Sequence, residues 1–398
     1  MKNFKVMISG LGIAVSMLMA CNGGQEATQL TVSGLDPAKF DTTIQQKPVK
    51  LFTLKNQNGM EVCITNYGGR VVSLVVPDKD GNPTDVVLGF DNIAQYADTL
   101  NSPTDYGSSV GRYANRINKG TFVLDGDTIK LRQNDAHPGE RNHCLHGGGA
   151  TGWMNQVYDA EQIGDSVLKL TIVAPDGENG FPGKVMAITT YKVTADNMLD
   201  ITWEAETDKP TIINQTNHNY YNLSGQLEEA AYDQVLYVNA DNFTESDESY
   251  MPTGKILPVE GTPMDFRTPH AVGDSINSAY YQIKNANGYD HNWCLNTYKD
   301  GKGDDTQVCA SLYSPRSGIF MEMYTNEPGV QVYSGNFQGV NGEENIVRKL
   351  GKKYPQHVSV CLESQKFPDS PNHPEWASPV LKPGEKYFSR AAYKFSIK

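Results

Sequence analysis

LFTLKNQNGMEVCI, from Leu51 to Ile64, sets two short runs of strand-forming residues on either side of Asn58-Gly59. An Asn-Gly pair accepts the positive backbone angles of a tight hairpin turn, and the flanking runs suit paired strands, so the stretch reads as a β-hairpin. The same grammar recurs at FVLDGDTIKL, Phe122 to Leu131, with Asp125-Gly126 at its centre. Further turn signals fall at Asp196-Asn197, Ser317-Gly318 and Pro383-Gly384. Short runs rich in Val, Ile, Tyr and Thr alternate with Gly, Asn, Asp and Pro clusters, and long amphipathic helical patterns are scarce. The chain is expected to be all-β. The roughly 350 residues after Gln46 are within reach of one large antiparallel β-sandwich, which is more economical than two domains. No internal repeat or linker divides them.

The first residues stand apart. Two lysines precede an apolar run from Val6 to Ala20 that is too short for a convincing transmembrane helix and reads as a secretory signal. Its Met19-Ala20-Cys21 end resembles a bacterial lipobox, in which Cys21 is lipidated and anchors the protein to a membrane of the cell envelope, periplasmic or outer. Residues 1–20 are thus expected to be a lipoprotein signal peptide and 21–46, rich in Gly, Gln, Thr and Asp, a flexible tether. Residues 47–398 would form the catalytic domain. Five further cysteines, with no CxxC pair, argue against a disulfide framework or a zinc site. The net charge of −12 and the lack of any Lys/Arg cluster argue against nucleic acid as a partner.

Six polar clusters carry the chemistry: GRYANRINKGTF (Gly111 to Phe122), NHCLHGGGATGW (Asn142 to Trp153), TNHNYYNLSG (Thr216 to Gly225), NGYDHNW (Asn287 to Trp293), YTNEPGVQVYSGN (Tyr324 to Asn336) and VCLESQKFPDSPNHPEW (Val360 to Trp376). Glu363 lies inside an alternating apolar run, a costly placement unless the acid is paired, for instance with Arg116, or functional. His218 sits among amides and phenols that could either satisfy a buried imidazole or present it to a hydroxyl-rich ligand. Asp290 reads equally as a turn residue, and the glycines after His146 serve a tight turn as well as a ligand. His143 with His146, or Asp290 with His291, are candidate metal ligands, yet no HxxxH helix or His-rich tract supports a metal. No P-loop is present and no GxGxxG follows a predicted strand, so no nucleotide or other cofactor is expected. Acids, bases, amides and aromatics without a cofactor point to proton transfer on a sugar, with Trp153, Tyr221, Trp293 or Tyr324 as flat faces for the ring.

NRINKGTF, LHGG followed by GW, TNHNYYNL, GYDHNW, EPGVQVYSGN and CLESQKFPDSPNHP occur in an order and spacing that resemble the aldose 1-epimerase (galactose mutarotase) family. NYGGRVVSLVVPDKDG near the start and LKPGEKY near the end extend the resemblance from about Lys47 to the C-terminus. It implies a sandwich of the galactose mutarotase type and the interconversion of α and β anomers of a free aldohexose such as galactose or glucose. By the same resemblance Glu363 is the general base at the C1 hydroxyl and His218 the acid at the ring oxygen. His146, Asp290, Asn115 and Arg116 are sugar contacts, Arg116 also orienting Glu363. Glu327 stands where family members often carry a sugar-binding Gln, which adds a like charge near Asp290 and Glu363 and leaves the sugar preference open. A non-catalytic sugar-binding lipoprotein and a glycosidase using Asp290 and Glu363 are the competing readings.

Overall fold

In the computed structural model, residues 29–100, 104–135, 142–340 and 342–398 are described. Both hairpin signals fold as hairpins. Strand Leu51–Lys55 pairs antiparallel with Glu61–Thr65, the connection being a five-residue loop, 56–60, in which Gly59 alone takes a positive φ (86°), so the hairpin forms but with a longer turn than the Asn-Gly pair predicts. Thr121–Leu124 pairs with Asp127–Lys130 across Asp125 and Gly126, both at positive φ (50° and 91°), the geometry that a two-residue turn of the I′ type requires.

Two antiparallel sheets dominate, as the all-β expectation requires. One has nine strands, in the order Asp159–Ile163, Val167–Ala174, Val185–Val193, Met198–Thr207, Tyr387–Ile397, Ile319–Thr325, Ala310–Tyr313, Val235–Val238 and His270–Ala271. The other has six: Tyr220–Tyr221, Val360–Gln365, Gly329–Tyr333, Asp290–Cys294, Asn242–Ser246 and Pro252–Pro258. A four-stranded sheet, Leu51–Lys55 to Pro83–Asp85, completes the body. In the nine-stranded sheet buried residues alternate with more exposed ones, the pattern of a sheet with one wet face. Ile201, Trp203, Met321 and Tyr393 from it share one apolar core with Val330, Val332, Val360, Leu362 and Trp293 of the six-stranded sheet.

The central strands of the six-stranded sheet are buried on both faces. Because successive side chains point to opposite sides, Val360 and Leu362 enter the sandwich core while Cys361, Glu363 and Gln365 face away from it. That outward face is where the polar clusters collect.

Cys21 and the proposed signal lie outside the described residues. The expected tether needs correction, because the folded body begins well before Lys47. Pro37–Phe40 forms a short 3-10 turn capped by the Asp36 side chain, and Thr42–Ile44 pairs with Lys47–Val49 around Gln45 and Gln46. Leu35 and Phe40, buried to 1% and 0% exposure, fix this segment to the body. Two apolar anchors in a polar stretch suffice when the backbone closes its own turns. All five described cysteines are free, and four are buried.

Candidate active site

Cross-strand register assembles the pocket floor. Tyr220 lies opposite Cys361, and Cys361 opposite Tyr333, which in turn faces Asp290. One row along, Glu363 lies opposite Gln331 and Gln331 opposite Asn292. Loops supply the walls: Asp105, Asn115, Arg116, His146 and His218 line the same cavity as Tyr220, Asp290, Gln331, Tyr333 and Glu363.

His218 follows the Thr216–Asn217 strand, which pairs with Ser109–Val110. Its backbone is pinned on both sides, donating to the Ser108 carbonyl at 2.9 Å and accepting from Gly107 N–H at 3.0 Å. Tyr220 stacks on its ring at 4.9 Å between centroids, 14° from parallel. His218 Nε2 stands 3.5 Å from Glu363 Oε1, and both side chains are almost fully buried.

Asn115 and His146 hold each other in the left-handed region, at φ 63° and 48°. His146 N–H donates to the Asn115 carbonyl (3.1 Å), and Asn115 N–H donates to His146 Nδ1 (3.2 Å). A ring nitrogen that accepts carries no proton, so neutral His146 offers Nε2–H. The adjacent Gly147 answers to packing: a Cβ there would lie 2.2 Å from the Gly111 carbonyl oxygen.

Burial sets the proton affinities. It raises Glu363 well above the usual carboxyl range, Asp290 and Asp105 add to the rise, and Arg116 opposes it. Burial lowers His218, against the pull of Asp105, and lowers His146 to about 4. A buried acid and base shifted toward each other form a couple that holds one proton between them near neutral pH, the arrangement needed for reversible proton transfer. One polar side-chain atom each from Asp105, His146 and His218 also lies within 4.8 Å of the others, so the carboxylate and the two rings converge.

Of the residues expected from sequence, Glu363, His218, His146, Asp290, Asn115 and Arg116 come together here. Two expectations are corrected. Arg116 finds its carboxylate partner in Asp135, through Nε at 2.8 Å, and its guanidinium lies over the Tyr250 ring; it does not ion-pair with Glu363. Glu327 is neither a pocket residue nor solvated, being 2% exposed and paired with Lys366 Nζ at 3.0 Å. That segment instead brings Gln331 and Tyr333 into the pocket, and Gln331 Nε2 donates to Asp290 Oδ1 at 2.7 Å. Trp153, Tyr221 and Trp293 are core residues at 0% exposure, and Tyr324 lies on the nine-stranded sheet; the aromatic surfaces of the pocket are Tyr220, Tyr333 and Phe337. Asp105 carried no signal beyond a turn-like Thr-Asp-Tyr-Gly context, whereas Gln331 was readable from alternation in Gly329–Tyr333.

The family model described as aldose 1-epimerase matches residues 50–394. The chain belongs to the aldose 1-epimerase family. It is an isomerase, 36% identical to the galactose mutarotase of Sus scrofa over 88% of this chain and 94% of the pig protein. It is 34% identical to the aldose 1-epimerase of Escherichia coli K12, over 88% and 96% of the two chains. Among solved structures, the galactose 1-epimerase of Lactobacillus acidophilus NCFM superposes with a TM-score of 0.75 at 29% identity, over 89% of this chain and 97% of that one. An aldose epimerase homologue from C. elegans gives 0.77 at 27%, over 88% and 99%. The epimerase fold and the pocket on its six-stranded sheet thus belong to one architecture.

Proposed function

We propose that this epimerase interconverts the anomers of free galactose and glucose, with Glu363 and His218 as the catalytic pair. The observation that carries the reading is their 3.5 Å approach inside a polar, largely buried pocket. In the productive state the proton of the couple resides on His218. Glu363 takes the proton of the C1 hydroxyl as His218 gives its own to the ring oxygen, and the C1–O5 bond breaks to leave an open-chain aldehyde. The couple is then neutral, carboxylic acid beside imidazole, so burial that penalises the starting charges favours this state. Rotation about C1–C2 turns the other aldehyde face toward O5. Closure returns a proton from O5 to His218 and one from Glu363 to O1, which yields the opposite anomer with the enzyme restored.

Asp290, held by Gln331, accepts sugar hydroxyls; Asn115, Arg116 and the Nε2–H of His146 supply directional contacts. Tyr333 and Phe337 offer apolar surface to the ring. The histidine distinguishes this reading from a two-carboxylate glycosidase, which needs no imidazole.

Polarimetry of freshly dissolved α-galactose and α-glucose tests the assignment. Glu363→Gln and His218→Asn are each expected to lose about 10²–10⁴-fold in kcat while remaining folded. Near-parental turnover by either variant would remove that residue from its role.

The lipid anchor is part of the same proposal. The apolar run to Ala20 and the following Cys21 support a mature protein tethered by a lipidated Cys21 in the cell envelope. Metabolic labelling with an alkynyl fatty acid should mark the parent in membranes and leave Cys21→Ala unlabelled; a labelled Cys21→Ala would dismiss the anchor.

A further inference from the structure

Asp105 has no part in the mechanism above, yet its loop is built with care. Arg70, fully buried, donates from Nη1 to the carbonyls of Thr104 and Tyr106, both at 3.1 Å, and so grips the chain on either side of Asp105. Ser108 closes on the Asp105 carbonyl through N–H (3.0 Å) and Oγ (2.9 Å). Gly107, at φ +64°, donates to the His218 carbonyl, and a Cβ there would lie 2.0 Å from the Val71 oxygen. The loop is thereby tied to His218 itself. Its carboxylate lines the pocket, and one of its oxygens shares a 4.8 Å neighbourhood with ring nitrogens of His146 and His218.

We infer that Asp105 is a positioning residue of the epimerase, whose carboxylate keeps the shared proton of the Glu363–His218 couple on the imidazole, where ring-oxygen protonation starts. The inference rests on the assignment of His218 as the acid. The titratable and charged groups facing the two imidazoles are Asp105, Asp290, Glu363, Arg70 and Arg116, with the Tyr220 and Tyr333 rings against His218. Burial alone would raise the Asp105 carboxyl; Arg70 and Arg116, with the neighbouring rings whenever they carry a proton, outweigh it and hold the group below its ordinary value. Asp105 is in turn the leading charge that draws protons toward both histidines against burial. Since His146, near 4, is neutral at physiological pH, the charge that Asp105 stabilises falls to His218.

A carboxylate that acts through a ring and one that binds the sugar separate in kinetics. In Asp105→Asn the negative charge goes while the shape stays. Asp105 raises Glu363 only behind Asp290 but is the leading charge on His218, so its loss lowers both proton affinities, His218 the more, and depletes the productive state. Polarimetric kcat and KM from pH 5 to 9, corrected for the uncatalysed rate, should show kcat down about tenfold at pH 7 and both limbs of the profile displaced about one unit toward acid. KM should stay within about twofold, and Asp105→Glu should recover part of kcat. Nitrogen NMR of the imidazoles should find His218 titrating at lower pH in Asp105→Asn than in the parent. Unmoved limbs and an unmoved His218 titration overturn the inference, as does a raised KM with unmoved limbs, which would make Asp105 a sugar ligand. Should Asp105→Asn fail to fold, Asp105→Ser reads the same limbs. A fully active His218→Asn would instead sink the acid assignment itself, a separate failure.

Discussion

Exchanging Glu327 for Gln decides between a ligand and a structural ion pair. Its carboxylate is 2% exposed and its partner Lys366 16%, with Nζ and Oε2 at 3.0 Å. Removing one partner of a fully buried pair costs about 3–5 kcal/mol, and of an exposed pair about 0–1. Lys366 keeps some water and the Tyr387 ring, 5.6 Å from Nζ, and Gln retains an acceptor oxygen, so the loss should be about 2 kcal/mol. Unfolding entropy scales with size, so for a body of this length the melting temperature should fall by about 2–3 °C. Lys366→Met strands an ionised acid with almost no solvent and should cost more, about 3 kcal/mol or above. The double variant should lose well under the sum of the two single losses, because neither charge is then left alone. Urea midpoints for the four proteins give the coupling, and polarimetry gives kcat/KM, expected within about twofold of the parent for Glu327→Gln. Unchanged stability with a tenfold loss of kcat/KM would refute the reasoning and restore Glu327 to the sugar site.

Gln331→Ala should raise KM for galactose about tenfold with a smaller effect on kcat, since it frees Asp290 from its amide donor; an unaltered KM in initial-rate measurements would exclude the role. Lys349 is fully buried, 2.6 Å from Asp85 Oδ2, and donates to the Val72 and Val87 carbonyls, so Lys349→Met should lose about 3–5 kcal/mol in urea titration; parental stability would contradict that. Acid should destabilise the protein through its buried histidines. Burial lowers His146 to about 4 and His291 to about 3, so below about 6.5 the unfolded chain binds the protons first, and each neutral ring costs about 1.4 kcal/mol per pH unit until its folded value is reached. His291→Leu should flatten that slope by one proton between pH 6.5 and 4, and an equally steep decline in urea midpoints would argue against it.

Local chemistry was the legible part. Asp125-Gly126 announced its hairpin because the backbone angles of a two-residue turn depend on the residues that occupy it, and Gly59 marked a longer loop by the same freedom. Glu363 was legible because alternation within one strand exposes an acid out of phase with its apolar neighbours. What alternation withholds is the partner across the sheet: Gln331 meets Glu363 from 32 residues away in the chain, and no local pattern encodes that register. The error at Glu327 has this origin, a carboxylate weighed by its charge when the strand phase favoured the amide four positions on. Trp153 and Trp293 illustrate a second limit, since a large ring satisfies a core and a sugar equally well on paper and only packing chooses. Leu35 and Phe40 illustrate a third: two apolar residues hardly alter the composition of a polar segment, yet they dock it.

The Val360–Gln365 strand faces the core with one set of side chains and the pocket with the other. Its backbone is therefore a common axle: a change in the volume of Leu362 moves Glu363 without touching any group that meets the sugar. A directed-evolution library confined to Val360, Leu362 and Ser364 would sample catalysts by steering the carboxylate from behind, with the pocket's own residues left as they are.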